Sequence, residues 1–360
     1  MKKSEKILRY AAYPLGWLYA LAVDIRNAWY SSGWLKSKAY DFPVITVGNL
    51  TVGGTGKTPH VEYLLHLLED KYRMAMVSRG YKRRSAGLQI AGDAASFEQL
   101  GDEAFQIYRK HHKRVRIAVC SDRLHAIDTL KQQFEELQAF VLDDAFQYRK
   151  LRPGLSVLLM DYHRPVYNDR MLPMGDLREP VRGKYRADVV VVSKCPSNMT
   201  PLEAADIRKR LNLRAFQKLF YSTFQYGTFR NVFDTRQKLT RKELQEDPPA
   251  MLLCTGIAQP KPLRDFLAGF GGPVEQLAFP DHHDFSESDL RLMEERFAAM
   301  PQSRKMIVVT DKDVSRLCEH PALSVVLKKN MYCVPLKVRF LFDGGAEFDK
   351  IVLNYVAKNL

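Results

Sequence analysis

Cysteine is scarce and unpatterned. Cys120, Cys195, Cys254, Cys318 and Cys333 form no CxxC and no paired metal spacing. A disulfide scaffold and a cysteine-based metal ribbon are thereby excluded, leaving reduced, mostly buried thiols of a cytoplasmic protein. Acidic residues are outnumbered, 41 against 55 Lys and Arg, for a net charge of +14. A basic excess of that size attracts nucleic acid, anionic membrane or phosphorylated substrates without choosing among them. Nucleic acid is the least favoured partner, because the aromatics cluster with apolar residues and not in basic stripes. Internal repeats and low-complexity tracts are absent, and 46% hydrophobic with 27% charged residues describes a folded chain.

A spanning segment is missing too. The charge-free stretch Tyr10–Val23 falls short of the ~20 residues that cross a bilayer. Lys2, Lys3 and Lys6 precede it as in a signal peptide, but no small-x-small cleavage site follows; Asp24, Arg26 and Asn27 come instead. All three tryptophans, Trp17, Trp29 and Trp34, lie here among tyrosines and basic residues. Amphipathic aromatics beside lysines suit the headgroup layer, which favours a helix lying in the inner face of a membrane over one packed on the protein's own core.

The informative stretch is Val44 to Pro59. A short β-branched run enters the glycine-rich turn Gly53-Gly54-Thr55-Gly56-Lys57-Thr58, and an amphipathic segment, His60 to Glu69, leaves it. In such a strand-loop-helix the backbone N–H groups converge on an anion, the lysine reaches the β- and γ-phosphates, and the threonine hydroxyl ligates Mg²⁺. One part departs from the general pattern: Thr51 stands where a glycine is expected. The segment Thr51, Val52, Gly53, Gly54, Thr55, Gly56, Lys57 and Thr58 is the expected nucleoside triphosphate cradle, with Thr58 on the metal.

Apolar runs Val44–Val47, Met74–Ser78, Val115–Cys120, Phe140–Leu142, Leu155–Met160 and Val189–Ser193 alternate with helical patterns. The expectation is an α/β fold of P-loop NTPase type, a mostly parallel sheet covered on both faces. Tyr221–Arg230 alternates like an exposed strand, and Leu336–Phe342 is a second such strand. Between them a smaller α/β pattern runs from Met251 to Thr310. The division expected is 1–38 a membrane-associating helix, 39–222 the P-loop kinase core, 223–342 a two-stranded linker with a smaller α/β domain, and 343–360 a C-terminal helix. The active site falls in the cleft.

Ligands on such sheets gather where strands end. Asp143 and Asp144 follow Phe140–Leu142, where an acid is the usual Mg²⁺ partner of the loop threonine, a helix cap being the alternative. Gly101-Asp102-Glu103 opens a helix, so its carboxylates either cap that helix or serve as a general base. Asp281-His282-His283-Asp284 reads as part of a strand that sends its two histidines to opposite faces; one of them, paired with a carboxylate of the other domain, would form a base on closure. Arg79, Arg123 and Arg178 offer planar forks for phosphate. The guanine code Asn/Thr-Lys-x-Asp is incomplete at Ser193-Lys194-Cys195-Pro196 and out of register at Asp311-Lys312-Asp313-Val314, so ATP is preferred to GTP.

Several of these pieces together resemble the tetraacyldisaccharide 4′-kinases of lipid A biosynthesis in Gram-negative bacteria. The matching runs are Val47–Thr58, Val77-Ser78-Arg79-Gly80-Tyr81, Gly101-Asp102-Glu103, Leu142–Gln147, Leu177-Arg178-Glu179-Pro180, Thr255-Gly256-Ile257-Ala258 and Pro280-Asp281-His282-His283. A threonine in the place of Thr51 is similar to that family; Ala145 and Tyr148 depart from it, where Gly and His are common. The resemblance implies a monotopic enzyme on the cytoplasmic face of the inner membrane, with ATP and Mg²⁺ as cofactors and an acylated disaccharide 1-phosphate as acceptor of the γ-phosphate at its 4′-hydroxyl. It implies Asp102 and His282 as the base and Asp143 and Asp144 as the acidic pair, Asp143 the nearer to Mg²⁺. Independently of it, phosphoryl transfer needs positive charge at the transferring phosphate, which Lys57 and an arginine such as Arg123 would supply beside Asp144, with Thr58 on the metal. The alternative from another class is a membrane-recruited nucleotide switch, which would prefer GTP.

Overall fold

Residues 13–360 are described by the computed structural model. The basic start of the chain and the first part of its apolar run, residues 1–12, lie outside the described residues. The strands in chain order are β1 (Val44–Asn49), β2 (Met74–Ser78), β3 (Gln89–Ile90), β4 (Val115–Val119), β5 (Ala139–Asp143), β6 (Leu155–Asp161), β7 (Val189–Ser193) and β8 (Lys218–Tyr226). They continue with β9 (Phe229–Asn231), β10 (Lys238–Leu239), β11 (Ala250–Thr255), β12 (Val274–Ala278), β13 (Lys305–Val309), β14 (Met331–Cys333) and β15 (Leu336–Phe340).

Four consecutive valines in β7 and the all-buried pattern of β1, β2, β5 and β6 have one cause: helices cover both faces of this sheet. Its order is β15-β8-β7-β6-β1-β5-β2-β4-β3, parallel except at the two edges. Along β5 the side chains alternate, Ala139 and Val141 joining one core cluster while Phe140 and Leu142 join the other. Helix Lys57–Leu68 presents Val61, Leu64, Leu65 and Leu68 at helical spacing to the first face, beside Phe348, Val352 and Val356 of helix Gly344–Lys358. Each such fully buried side chain stabilises by about 1.5–3 kcal/mol. Helix Arg123–Gln133 covers the other face with Ala126, Ile127 and Leu130.

The register does the positioning. Val47 of β1 lies opposite Asp143 of β5, so the glycine-rich loop and the Asp143-Asp144 pair leave the sheet side by side. A second sheet, β10-β9-β14-β13-β11-β12, parallel from β14 to β12, carries helices Lys261–Ala268 and Glu287–Ala299.

Two expectations change. The boundary at 222/223 falls inside β8, whose pairing with β7 and β15 makes it part of the large sheet. The exposed reading of Tyr221–Arg230 fails at its start, since Leu219 to Thr223 are buried between two core clusters. Aromatic alternation there reflects two apolar environments, one on each face.

Candidate active site

Helix Lys57–Leu68 starts directly after Gly56, whose φ of 83° is left-handed. A Cβ on Gly56 would stand 2.5 Å from Cζ of Phe224, so conformation and space both demand glycine. Thr51 has no such demand. It pairs antiparallel with Leu177, and the Val52 N–H donates to the Asp176 carbonyl at 2.7 Å. Extended backbone accepts threonine, and the left-handed turns fall on Gly53 and Gly56 instead. The Thr55 side chain is turned inward: its hydroxyl accepts from Asn49 Nδ2 at 2.9 Å, and its carbonyl accepts from the Ser193 hydroxyl at 2.7 Å. Lys194 donates to the Gly54 carbonyl and to Asp161 Oδ2, the latter at 2.7 Å. The loop is thus braced from β7 before any ligand arrives.

Beside it stand the two carboxylates. Asp143 is fully buried, and its Oδ1 has no hydrogen-bond partner among the described residues. Burial, then the charge of Glu103, push Asp143 up to about 7 against the pull of Lys57. Asp144 takes the opposite course. Burial raises it too, but the Arg178 fork, at 2.8 and 3.1 Å, with Lys57 and Arg123, outweighs burial and holds it at about 2. Lys57 Nζ lies 3.7 Å from Asp144 Oδ1. Arg123 is buried, donates to the Ser121 and Asp144 carbonyls at 2.9 and 3.3 Å, and sits over the Tyr148 ring. Neither Arg123 nor Arg178 is a solvated surface arginine. Burial first, and then the charge of nearby Arg79, lower the Arg123 pKa below the ordinary arginine value. Two adjacent carboxylates pushed in opposite directions have divergent environments, the pattern of divided roles.

Asp102 opens helix Asp102–His111, and the second sheet reaches it. His282 Nδ1 lies 2.9 Å from Asp102 Oδ2, and Arg316 of helix Asp311–Leu317 donates through Nε to Oδ1 at 2.9 Å and through Nη2 to Oδ2. Lys312 Nζ lies 3.1 Å from His282 Nε2 and Arg316 Nη2 2.9 Å from its Nδ1. An ionised carboxylate only accepts and a lysine only donates, so a neutral ring between Asp102 and Lys312 carries its proton on Nδ1 and gives it to Asp102, with Arg316 committed to the same carboxylate. Burial raises the Asp102 pKa, but Arg316 first and His282 second hold it below the ordinary carboxylate value. A carboxylate has about four acceptor positions, and these partners take three. One remains.

The histidines do not sit on a strand, as the sequence suggests. β12 ends at Ala278, and His282 occupies a turn with φ 63°. Rotation of that turn, not strand alternation, separates the two rings: His283 Nε2 pairs with Asp289 Oδ2 at 2.9 Å and its ring stacks on Phe279. His282 faces Asp102; His283 secures a helix start.

Sequence reasoning missed Arg316, Lys312 and Glu179. Lys312 and Arg316 are one turn apart on the helix after β13, a spacing visible in the sequence, but Asp102 is 214 residues from Arg316. Glu179 is wholly buried and accepts from Arg26 and Arg186 at 3.0 and 2.5 Å. It anchors helix Tyr13–Ser31, as do Tyr19, bonded to the Arg178 carbonyl, and Asp24, paired with Arg182.

A braced glycine-rich loop beside strand-end carboxylates is the equipment of enzymes that move phosphoryl groups from nucleotides, and the chain is of this kinase class. Its sequence settles the family: a profile of tetraacyldisaccharide-1-P 4′-kinase matches residues 8–357, and the chain belongs to that family. Curated tetraacyldisaccharide 4′-kinases are similar along nearly their whole length. That of Phocaeicola vulgatus is 42% identical over 349 residues, 96% of this chain and 95% of the relative. That of Flavobacterium johnsoniae is 40% identical over 354 residues, 98% and 99%. A solved structure, LpxK from Aquifex aeolicus in complex with ATP, superposes with a TM-score of 0.74 at 28% identity, covering 97% of this chain and 99% of that one. The nucleotide-switch alternative does not agree with that membership.

Proposed function

We propose that the chain transfers the γ-phosphate of ATP to the 4′-hydroxyl of a tetraacyl glucosamine disaccharide 1-phosphate at a membrane surface. The observation that carries this reading is Asp102, ionised and held by residues of the second sheet, with one acceptor position left for a substrate hydroxyl.

In this reading the loop from Thr51 to Thr58 grips the triphosphate with its backbone N–H groups, and Lys57 leaves Asp144 for the phosphates. Arg178 keeps Asp144 ionised and fixed. Arg123 adds positive charge from below the strand ends. Mg²⁺ fits the donors present: the buried, partnerless Oδ1 of Asp143 and the Thr58 hydroxyl would hold it. When bound, the ion neutralises charge on the transferring phosphoryl group. Asp102 accepts the 4′-hydroxyl proton, while His282 and Arg316 orient it and Lys312 fixes the histidine tautomer. The acceptor and the nucleotide would meet in the cleft between the two sheets, each the core of its own domain.

Membrane contact rests on helix Tyr13–Ser31 and the turn after it. Trp17 is 62% exposed, Leu18 55%, Trp29 46% and Trp34 80%, while Arg26 and Asn27 turn away from that face to Glu179. No helix among the described residues is long and apolar enough to cross a membrane. An apolar face outward on an anchored helix supports seating in one leaflet, and the cytoplasmic leaflet's anionic lipids suit a +14 chain.

Asp102→Ala tests the base assignment: turnover falls by two orders of magnitude or more with circular dichroism unchanged. A near wild-type rate with purified Asp102→Ala would remove it.

A further inference from the structure

Helices Lys57–Leu68 and Asp102–His111 begin at two residues central to the proposed chemistry, pack against each other, and end together at a cluster that the chemistry does not use. Their 12 and 10 residues put that cluster about 15 Å from their starts. There His66 and Glu69, one turn apart, meet His111. Glu69 Oε1 lies 3.1 Å from His66 Nδ1, and its Oε2 lies 2.6 Å from His111 Nδ1. The two rings are 4.6 Å apart, and one donor atom from each of the three residues falls within 4.8 Å of the others. His111 is buried, and its second ring nitrogen, Nε2, has no partner among the described residues. Two helix C-termini add partial negative charge at the same point.

The geometry points to a binding site for a divalent cation of the zinc class, ligated by His66, Glu69 and His111 with water in the fourth position. Two imidazoles and one carboxylate with an open position is a borderline-metal donor set; Mg²⁺ and Ca²⁺ prefer oxygen throughout, which separates this site from the loop. A zinc ion stands about 2 Å from each ligand atom, so tetrahedral donors lie roughly 3.4 Å apart. The Glu69 contacts need to lengthen by less than about 1 Å to reach that spacing. His66, with 66% of its side chain exposed, supplies the remaining movement. Bound there, the ion would clamp together the far ends of the helices that carry Lys57 and Asp102. The inference stands apart from the kinase reading, because none of its ligands touches the proposed substrates.

The test uses full-length protein stripped with a chelator. Zn²⁺ is titrated against a chromophoric competitor, and Co²⁺ is titrated with visible absorption as the readout. The wild type takes up one ion that His66→Ala and Glu69→Gln lose or bind at least about tenfold more weakly. Co²⁺ gives tetrahedral band intensities in the wild type alone. Because His66 is exposed, His66→Ala retains the fold. Equal Zn²⁺ uptake by all three proteins, or Co²⁺ spectra unchanged by the substitutions, overturns the site.

Discussion

Replacing Asp143 by Asn separates two demands on one carboxylate. Burial and Glu103 raise its pKa from 3.8 to about 7, roughly 4 kcal/mol against the ionised form. Between about pH 4 and pH 7 the folded chain therefore keeps a proton that the unfolded chain has lost. This group's contribution to stability falls as pH rises through that window. A cation at Oδ1 must displace the proton, so Mg²⁺ affinity falls about tenfold per pH unit below about 7. Binding at pH 6 then releases about one proton from Asp143. Calorimetric titration of Mg²⁺ into the enzyme with a non-hydrolysable ATP analogue, in buffers of different ionisation enthalpy, counts those protons. The nucleotide's terminal phosphate also takes up protons in this range, so the comparison with Asp143→Asn isolates the side chain. The substitution removes about one released proton at pH 6 and weakens Mg²⁺ binding at pH 8. Glu103→Gln, which deletes the like charge, moves the wild-type transition to lower pH. Equal proton release by Asp143→Asn and wild type would refute the reasoning.

Two further perturbations probe the second sheet and the N-terminal helix. Asp102 and Arg316 are both 7% exposed, so Arg316→Met leaves a buried carboxylate short of its main partner, at about 3–5 kcal/mol. It lowers kcat and moves the acid limb of kcat/KM to higher pH, because Asp102 loses the group that depresses it; a lower kcat with the limb in place would make Arg316 a structural bolt. Replacing Trp17, Leu18 and Trp29 by Ser removes about 1.5–3 kcal/mol of apolar burial per side chain at a bilayer. Sedimentation with anionic vesicles then recovers at least tenfold less protein, and unchanged partitioning would contradict the seating of this helix.

The large sheet was legible because its strands are continuous apolar runs. Six of them, from Val44–Val47 to Val189–Ser193, match strands to within two residues at each end. The shortest strands were not: β3 and β10 have two residues each and β9 and β14 three, too few for any periodicity. Of the candidate site, the parts set by local chain were visible. Gly56, Lys57 and Thr58 follow a strand, and Asp143 and Asp144 end one, so register alone brings them together. Of what crosses between the sheets, a histidine meeting a carboxylate of the other domain was an expectation of the sequence, whereas the Arg316 clamp on that carboxylate was not. Arg316 lacks any sequence neighbour that points to Asp102, and the turn that aims His282 instead of His283 depends on one positive φ. Thr51 is the instructive case, an apparent defect in the loop that proves to be extended backbone paired with Leu177.

The most direct measurement is chemical. Purified protein is incubated with ATP, Mg²⁺ and tetraacyl disaccharide 1-phosphate in detergent, and the product is located by fragmentation mass spectrometry. One phosphate added at the 4′-hydroxyl, and none with Lys57→Ala, is the predicted result. An acceptor recovered unphosphorylated by folded, ATP-binding enzyme would contradict it.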